Sequence, residues 1–152
     1  MWPTGSWYST LPPRETIDRP ADAIWSLAAD VGRHIDWMGA AGTMLSGVPD
    51  QAGSRVGYVY RMGPMSFDAI AEVSVAEPGR RIAWRIVDGA PFTAQYTLEL
   101  DALSPSTTRA TWSGSLQPRG LWRLLTPLFA MEAREGEARE LRKLKALAEA
   151  GG

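Results

Sequence analysis

The sequence predicts an α+β fold: a curved antiparallel sheet of about seven strands around one long C-terminal helix, with two short helices after the first strand. Three observations carry this. Between Thr43 and Gln117, short runs rich in β-branched and aromatic residues alternate with Gly, Pro and Asp turns, and no helical period interrupts them. From Thr126 onward the spacing becomes helical. Glu132, Glu135 and Glu137 lie in the N-terminal half and Arg142, Lys143 and Lys145 in the C-terminal half, the order a helix macrodipole favours. Ahead of the sheet, Asp18-Arg19-Pro20 offers a cap and a proline with φ already suited to a first helical turn.

The elements follow in order. Trp7 to Thr10 and Glu15 to Ile17 read as a first strand interrupted by Pro12-Pro13, since a double proline cannot sit in a central ladder. A helix then runs from the Asp18 cap to about Asp30, with Ile24, Leu27 and Ala28 on its apolar stripe. A second short turn passes through His34, Ile35 and Trp37 and ends at Gly39. Strands are predicted at Met44 to Val48, Arg55 to Met62, Ser66 to Glu77, Arg81 to Asp88, Phe92 to Leu100 and Thr107 to Leu116, each junction with its own turn chemistry, as in Glu77-Pro78-Gly79-Arg80. Ile82, Trp84 and Ile86 share one face, as do Tyr96, Leu98 and Leu100, and Ala110, Trp112 and Leu116. Ile70 has the opposite parity from Val73 and Val75, which predicts a bulge between them. Thr126-Pro127 opens the last helix, whose apolar stripe is expected to bury Leu128, Met131, Leu141 and Leu144.

Bulk properties narrow the function. A chain of 152 residues with 45% hydrophobic and 22% charged residues is sized and composed for one folded domain, residues 1–152. A net charge of -1 and no dense Lys/Arg cluster argue against nucleic acid as a partner. No stretch approaches the ~18 apolar residues of a membrane span, and Met1 to Thr10 lacks a secretory pattern, so a cytoplasmic location is expected. With no cysteine and a single histidine, no metal or organic cofactor is expected. Gly53, Gly57 and Gly63 match no phosphate-cradling spacing and read as turn or bulge glycines.

Three segments carry a family resemblance: Asp18-Arg19-Pro20-Ala21-Asp22-Ala23-Ile24-Trp25, Glu77-Pro78-Gly79-Arg80-Arg81-Ile82-Ala83-Trp84 and Glu140-Leu141-Arg142-Lys143-Leu144-Lys145-Ala146-Leu147. With the order of elements, they make the chain resemble the START-like, helix-grip (SRPBCC) superfamily over nearly its whole length, in particular the polyketide cyclase/dehydrase-like branch. The resemblance implies a cavity between the concave sheet and the long helix that takes lipids, sterols, polyketides or other apolar ligands, with cyclisation or dehydration in some members.

Within such a frame, inward parity makes Trp84, Tyr96 and Trp112 an aromatic wall, or else ordinary core filling. Tyr58, Tyr60 and Phe67 extend the wall, and Leu128 and Met131 add apolar lining from the helix. The helix loses bulk at Gly136 and Ala138, which leaves room opposite the sheet. Arg134 and Glu135 are either polar anchors for a ligand or members of a solvated face. His34 reads as a surface or capping residue. The leading function is binding of a hydrophobic or amphipathic small molecule. One alternative is a polyketide cyclase or dehydratase, for which Asp68, Tyr60, Arg61 and Glu135 are the candidate acids and bases. The other is a protein-interaction or co-chaperone-like domain using the convex face or edge strands.

Overall fold

A computed structural model describes residues 12–62 and 64–151, without the side chains of residues 62, 129, 130 and 132–134. Strand β1 (Arg14–Ile17) leads into helix α1 (Ala21–Ala29), a 3-10 turn at Val31–Arg33 and the four-residue helix α2 (His34–Trp37). The meander is β2 (Ala41–Ser46), β3 (Arg55–Met62), β4 (Met65–Glu77), β5 (Arg81–Asp88), β6 (Phe92–Ser104) and β7 (Thr107–Pro118). A 3-10 segment, Gly120–Leu125, then leads into α3 (Thr126–Glu149). All strands pair antiparallel in the order β1-β7-β6-β5-β4-β3-β2, so the first strand returns beside the last. The predicted half-strand at Trp7 to Thr10 lies outside the described residues.

Local chemistry explains where the boundaries differ from expectation. Helix α1 starts after Pro20, which is itself the cap residue, and the Pro20 carbonyl accepts from Ala23 and Ile24. Asp18 does not cap this helix; its backbone N–H instead donates to the Glu149 carboxylate at the far end of α3. The Asp30 carboxylate caps the next turn by accepting from the Gly32 N–H at 3.1 Å. Strand β2 is displaced towards the N-terminus of its expected position, because Gly47 at φ 74° ends it and Val48 donates to the Ser54 hydroxyl instead of a ladder. The irregularity expected in β4 is present as two register shifts, at Ile70/Ala71 and Val73/Val75.

The predicted parity holds across the central strands. Ile82, Trp84, Leu98, Trp112 and Ala110 are buried and join Ile17, Ile24, Trp37, Leu141 and Leu144 in the main core. Trp112 lies at its centre, with ring centroids 5.1 Å from Trp37, 6.1 Å from Trp84 and 5.9 Å from Tyr96, the last pair stacked. A second cluster around Phe92, Ile86 and Leu116 takes in Tyr60, Phe67 and Trp122.

Helix α3 is fastened at its C-terminal half. Leu141 and Leu144 are fully buried, and Lys145 donates to the Thr16 carbonyl of β1 at 2.7 Å. The expectation that Leu128 and Met131 share this stripe is corrected: they are 52% and 51% exposed. At 3.6 residues per turn, Met131 points roughly 80° and Leu128 roughly 140° away from Leu141, so a helix that seats Leu141 on the sheet cannot seat them.

Candidate functional site

A cavity of about 170 Å³ lies between β3, β6 and β7 on one side and the middle of α3 on the other. Trp112, Tyr96 and Leu116 come from the adjacent strands β7 and β6, where Tyr96 is registered against Gly114. A Cβ at Gly114 would stand 2.8 Å from the Tyr96 ring, so glycine is what lets that ring lie flat on β7. Tyr60 and Arg61 enter from β3, and Met38 and Gly39 from the end of α2. Helix α3 contributes Gly136, Glu137, Arg139 and Glu140. Gly39, Arg61 and Arg139 are exposed, so the cavity opens to solvent on a side carrying two guanidinium groups.

Glu140 is the polar centre of this cavity. The Trp112 indole N–H donates to its carboxylate at 2.9 Å. Burial pushes the Glu140 carboxyl up to about 7, against the opposing pull of that hydrogen bond and of the Arg139 and Lys143 charges. Near neutral pH it is therefore divided between a proton-accepting carboxylate and a proton-donating acid. Burial, and secondarily the Glu140 charge, raises the Tyr60 phenol above its ordinary range and keeps it a neutral donor.

The expected site residues separate into three groups. Tyr60, Tyr96 and Trp112 meet at the cavity, joined by Arg61 from the candidate acids and bases. Trp84, Tyr58 and Phe67 support it from behind: Trp84 is sealed in the core, Tyr58 is buried against His34, and Phe67 packs on Phe92 and Trp122. Leu128, Met131 and Glu135 are exposed and do not line it, Glu135 because it lies roughly 120° from Leu141 on the side of the helix opposite to Gly136 and Glu140. Ala138 is half-buried beside the cavity without lining it, Asp68 is exposed, and the side chain of Arg134 lies outside the described residues.

Two residues were assigned no such role by the sequence. Glu140 lies one turn after Gly136 on the same helix edge, and a glycine in the middle of a 24-residue helix is the signal that could have pointed to it. His34 is fully buried rather than at the surface. Its Nε2 contacts the Ala28 carbonyl at 2.7 Å, which can only accept, so the proton sits on Nε2. Nδ1 then accepts from the Tyr58 hydroxyl at 2.7 Å.

The model of a family described as polyketide cyclase/dehydrase and lipid transport matches residues 14–149. The chain belongs to this polyketide cyclase/dehydrase and lipid transport family. Solved structures of the same shape include a Thermus thermophilus protein, 16% identical with a TM-score of 0.77, covering 93% of this chain and 98% of that one. The Zhui aromatase/cyclase of a Streptomyces species is 18% identical with a TM-score of 0.75, covering 93% and 97%. A START superfamily protein of Mycobacterium smegmatis is 15% identical with a TM-score of 0.75, covering 93% and 98%. At these identities the likeness is one of fold, and it places this family member among helix-grip proteins. No curated protein sequence matches the chain.

Proposed function

We propose that the cavity binds a small hydrophobic or amphipathic molecule, with an aromatic or polyketone-like ring held against Trp112 and Tyr96 and its oxygens directed to Tyr60 and Glu140. The observation that carries this reading is Gly136. Glycine in a helix interior costs about 1 kcal/mol relative to alanine. Here it is buried at the cavity, and among the described residues a Cβ in its place would meet nothing nearer than the Arg139 and Glu140 side chains at 3.8 Å. The position therefore keeps space open on a helix face where packing would accept a side chain. Apolar cavities of about 150 Å³ take up a benzene ring, and binding pockets for larger ligands start near 300 Å³. A volume of about 170 Å³ suits one or two fused rings, with any longer chain leaving past Arg61 and Arg139. Calorimetric titration with 2-naphthol should show saturable binding of one molecule per chain. Tyr60→Phe should weaken it about three- to tenfold, the worth of one hydrogen bond. Absence of saturable binding by the wild type would refute the reading.

Glu140 favours a second reading, proton transfer at a carbon next to a ligand carbonyl, as a cyclase or dehydratase needs. Its carboxyl, raised to about 7, can take a proton from such a carbon while the Tyr60 phenol donates to the carbonyl oxygen. On this reading the protein accelerates deuterium uptake from solvent into the α-carbon of 1-tetralone, and Glu140→Gln abolishes the acceleration. Equal rates with and without protein would leave binding as the function.

A further inference from the structure

We infer that the segment from Arg119 to Met131 docks on the surface of an anionic lipid bilayer. It carries the two most exposed large apolar side chains among the described residues, Leu121 at 85% and Leu124 at 81%, followed along the chain by Leu125 at 38%, Leu128 at 52% and Met131 at 51%. They follow one another along the 3-10 segment and the first turns of α3, so they form a continuous apolar strip rather than scattered residues. From Gln117 to Met131 the only charged residues are Arg119 and Arg123, although the chain as a whole has a net charge of -1. An apolar ridge with cationic flanks is the composition that enters the headgroup layer. The strip is too short to span, and among the described residues no helix is long and apolar enough to cross a membrane.

Trp122 ties the strip to the cavity wall. Its ring packs on Phe67 at 5.8 Å, Phe67 on Phe92 at 6.0 Å, and Phe92 on Tyr60 at 6.5 Å, and Tyr60 lines the cavity. The exposed leucines thus stand beside the site without entering it. A second copy of the chain fits the strip less well. A two-fold contact centred on Leu121 and Leu124 would bring Arg119 and Arg123 of both copies together, while the first carboxylates that follow in the chain, Glu132 and Glu135, stand beyond the far end of the strip. Phosphatidylserine headgroups supply the complementary charge.

Flotation with mixed phosphatidylserine/phosphatidylcholine vesicles tests this directly. The wild type should float with them, and less with phosphatidylcholine alone. The double substitution Leu121→Gln, Leu124→Gln should lower the bound fraction at least about tenfold, because it removes the side chains that insert. Arg123→Gln should reduce the preference for the anionic vesicles. The leucine double variant should bind 2-naphthol like the wild type, which separates failure of docking from failure of the cavity reading. No flotation of the wild type, equal flotation of the double variant, or a concentration-dependent dimer that forms in place of vesicle binding would overturn the inference.

Discussion

Trp112→Ala should lower the stability of the protein by about 3–5 kcal/mol, as removal of a large buried aromatic does where the site cannot collapse. Trp112 is 1% exposed, and three other aromatic rings close around it. The substitution also leaves Glu140 without the indole N–H that holds its carboxylate. A loss of this size is a large share of the roughly 5–15 kcal/mol that holds a domain folded. It should appear in urea denaturation as a much lower midpoint. Trp112→Phe should retain most of the stability, since it keeps an aromatic ring in place. It should still push the Glu140 carboxyl further up, since the bond it removes is one that lowers it. A cost below about 1 kcal/mol for Trp112→Ala would mean that β7 does not face the core.

The second large effect is a dependence on pH with two opposed contributions. Burial lowers the pKa of His34 from 6.5 to about 4, against the hydrogen bond to Ala28 and the charge of Asp30. Between these values the unfolded chain binds a proton that the folded chain does not. The stability owed to neutral His34 is therefore fully present above about pH 6.5 and is lost as pH falls through 4, in total about 3 kcal/mol. Glu140 acts in the opposite sense. Its pKa is raised from 4.5 to about 7, so its contribution is fully present below about pH 4.5 and is lost as pH rises through 7. It is half-buried beside an open cavity, which keeps its share smaller. Between about pH 4.5 and 6.5 the two slopes partly cancel. Glu140→Gln should remove one of them, so that stability falls by about 1.2 kcal/mol between pH 6 and pH 5. Urea denaturation at those two pH values measures the slope. His34 is the only histidine, so its ring nitrogens can be followed by NMR without assignment, and they should report the neutral Nε2–H form down to about pH 5. A flat profile in Glu140→Gln, or a His34 that titrates near 6.5, would contradict the buried geometry.

The sheet was legible in the sequence because a strand has only two faces. Once Ile82, Trp84 and Ile86 share a parity, their common burial follows, and the same holds for Ala110, Trp112 and Leu116. The long helix was half legible. Leu141, Leu144 and Ala148 lie three and four apart and are buried together, whereas Leu128 and Met131 are as apolar but rotated off that stripe, beyond the part of α3 held by Thr16 and Glu15. His34 was not legible because a four-residue helix has no amphipathic period, and its burial depends on Tyr58, 24 residues further along. The cavity was legible only as missing bulk near Gly136 and Ala138. That Glu140 is its polar centre depends on the register bringing Trp112 within 2.9 Å, which no spacing within the helix encodes.

The most direct measurement compares 2-naphthol binding by the wild type and by Gly136→Leu. The leucine side chain would start at a Cβ with no neighbour among the described residues nearer than 3.8 Å and extend into the 170 Å³ space, while relieving the helix of a glycine worth about 1 kcal/mol. The account predicts a variant at least as resistant to urea as the wild type, with affinity for 2-naphthol reduced by about tenfold or more, as filling a pocket does. Undiminished, equimolar binding of 2-naphthol by folded Gly136→Leu would contradict it, and would place the ligand elsewhere on the protein.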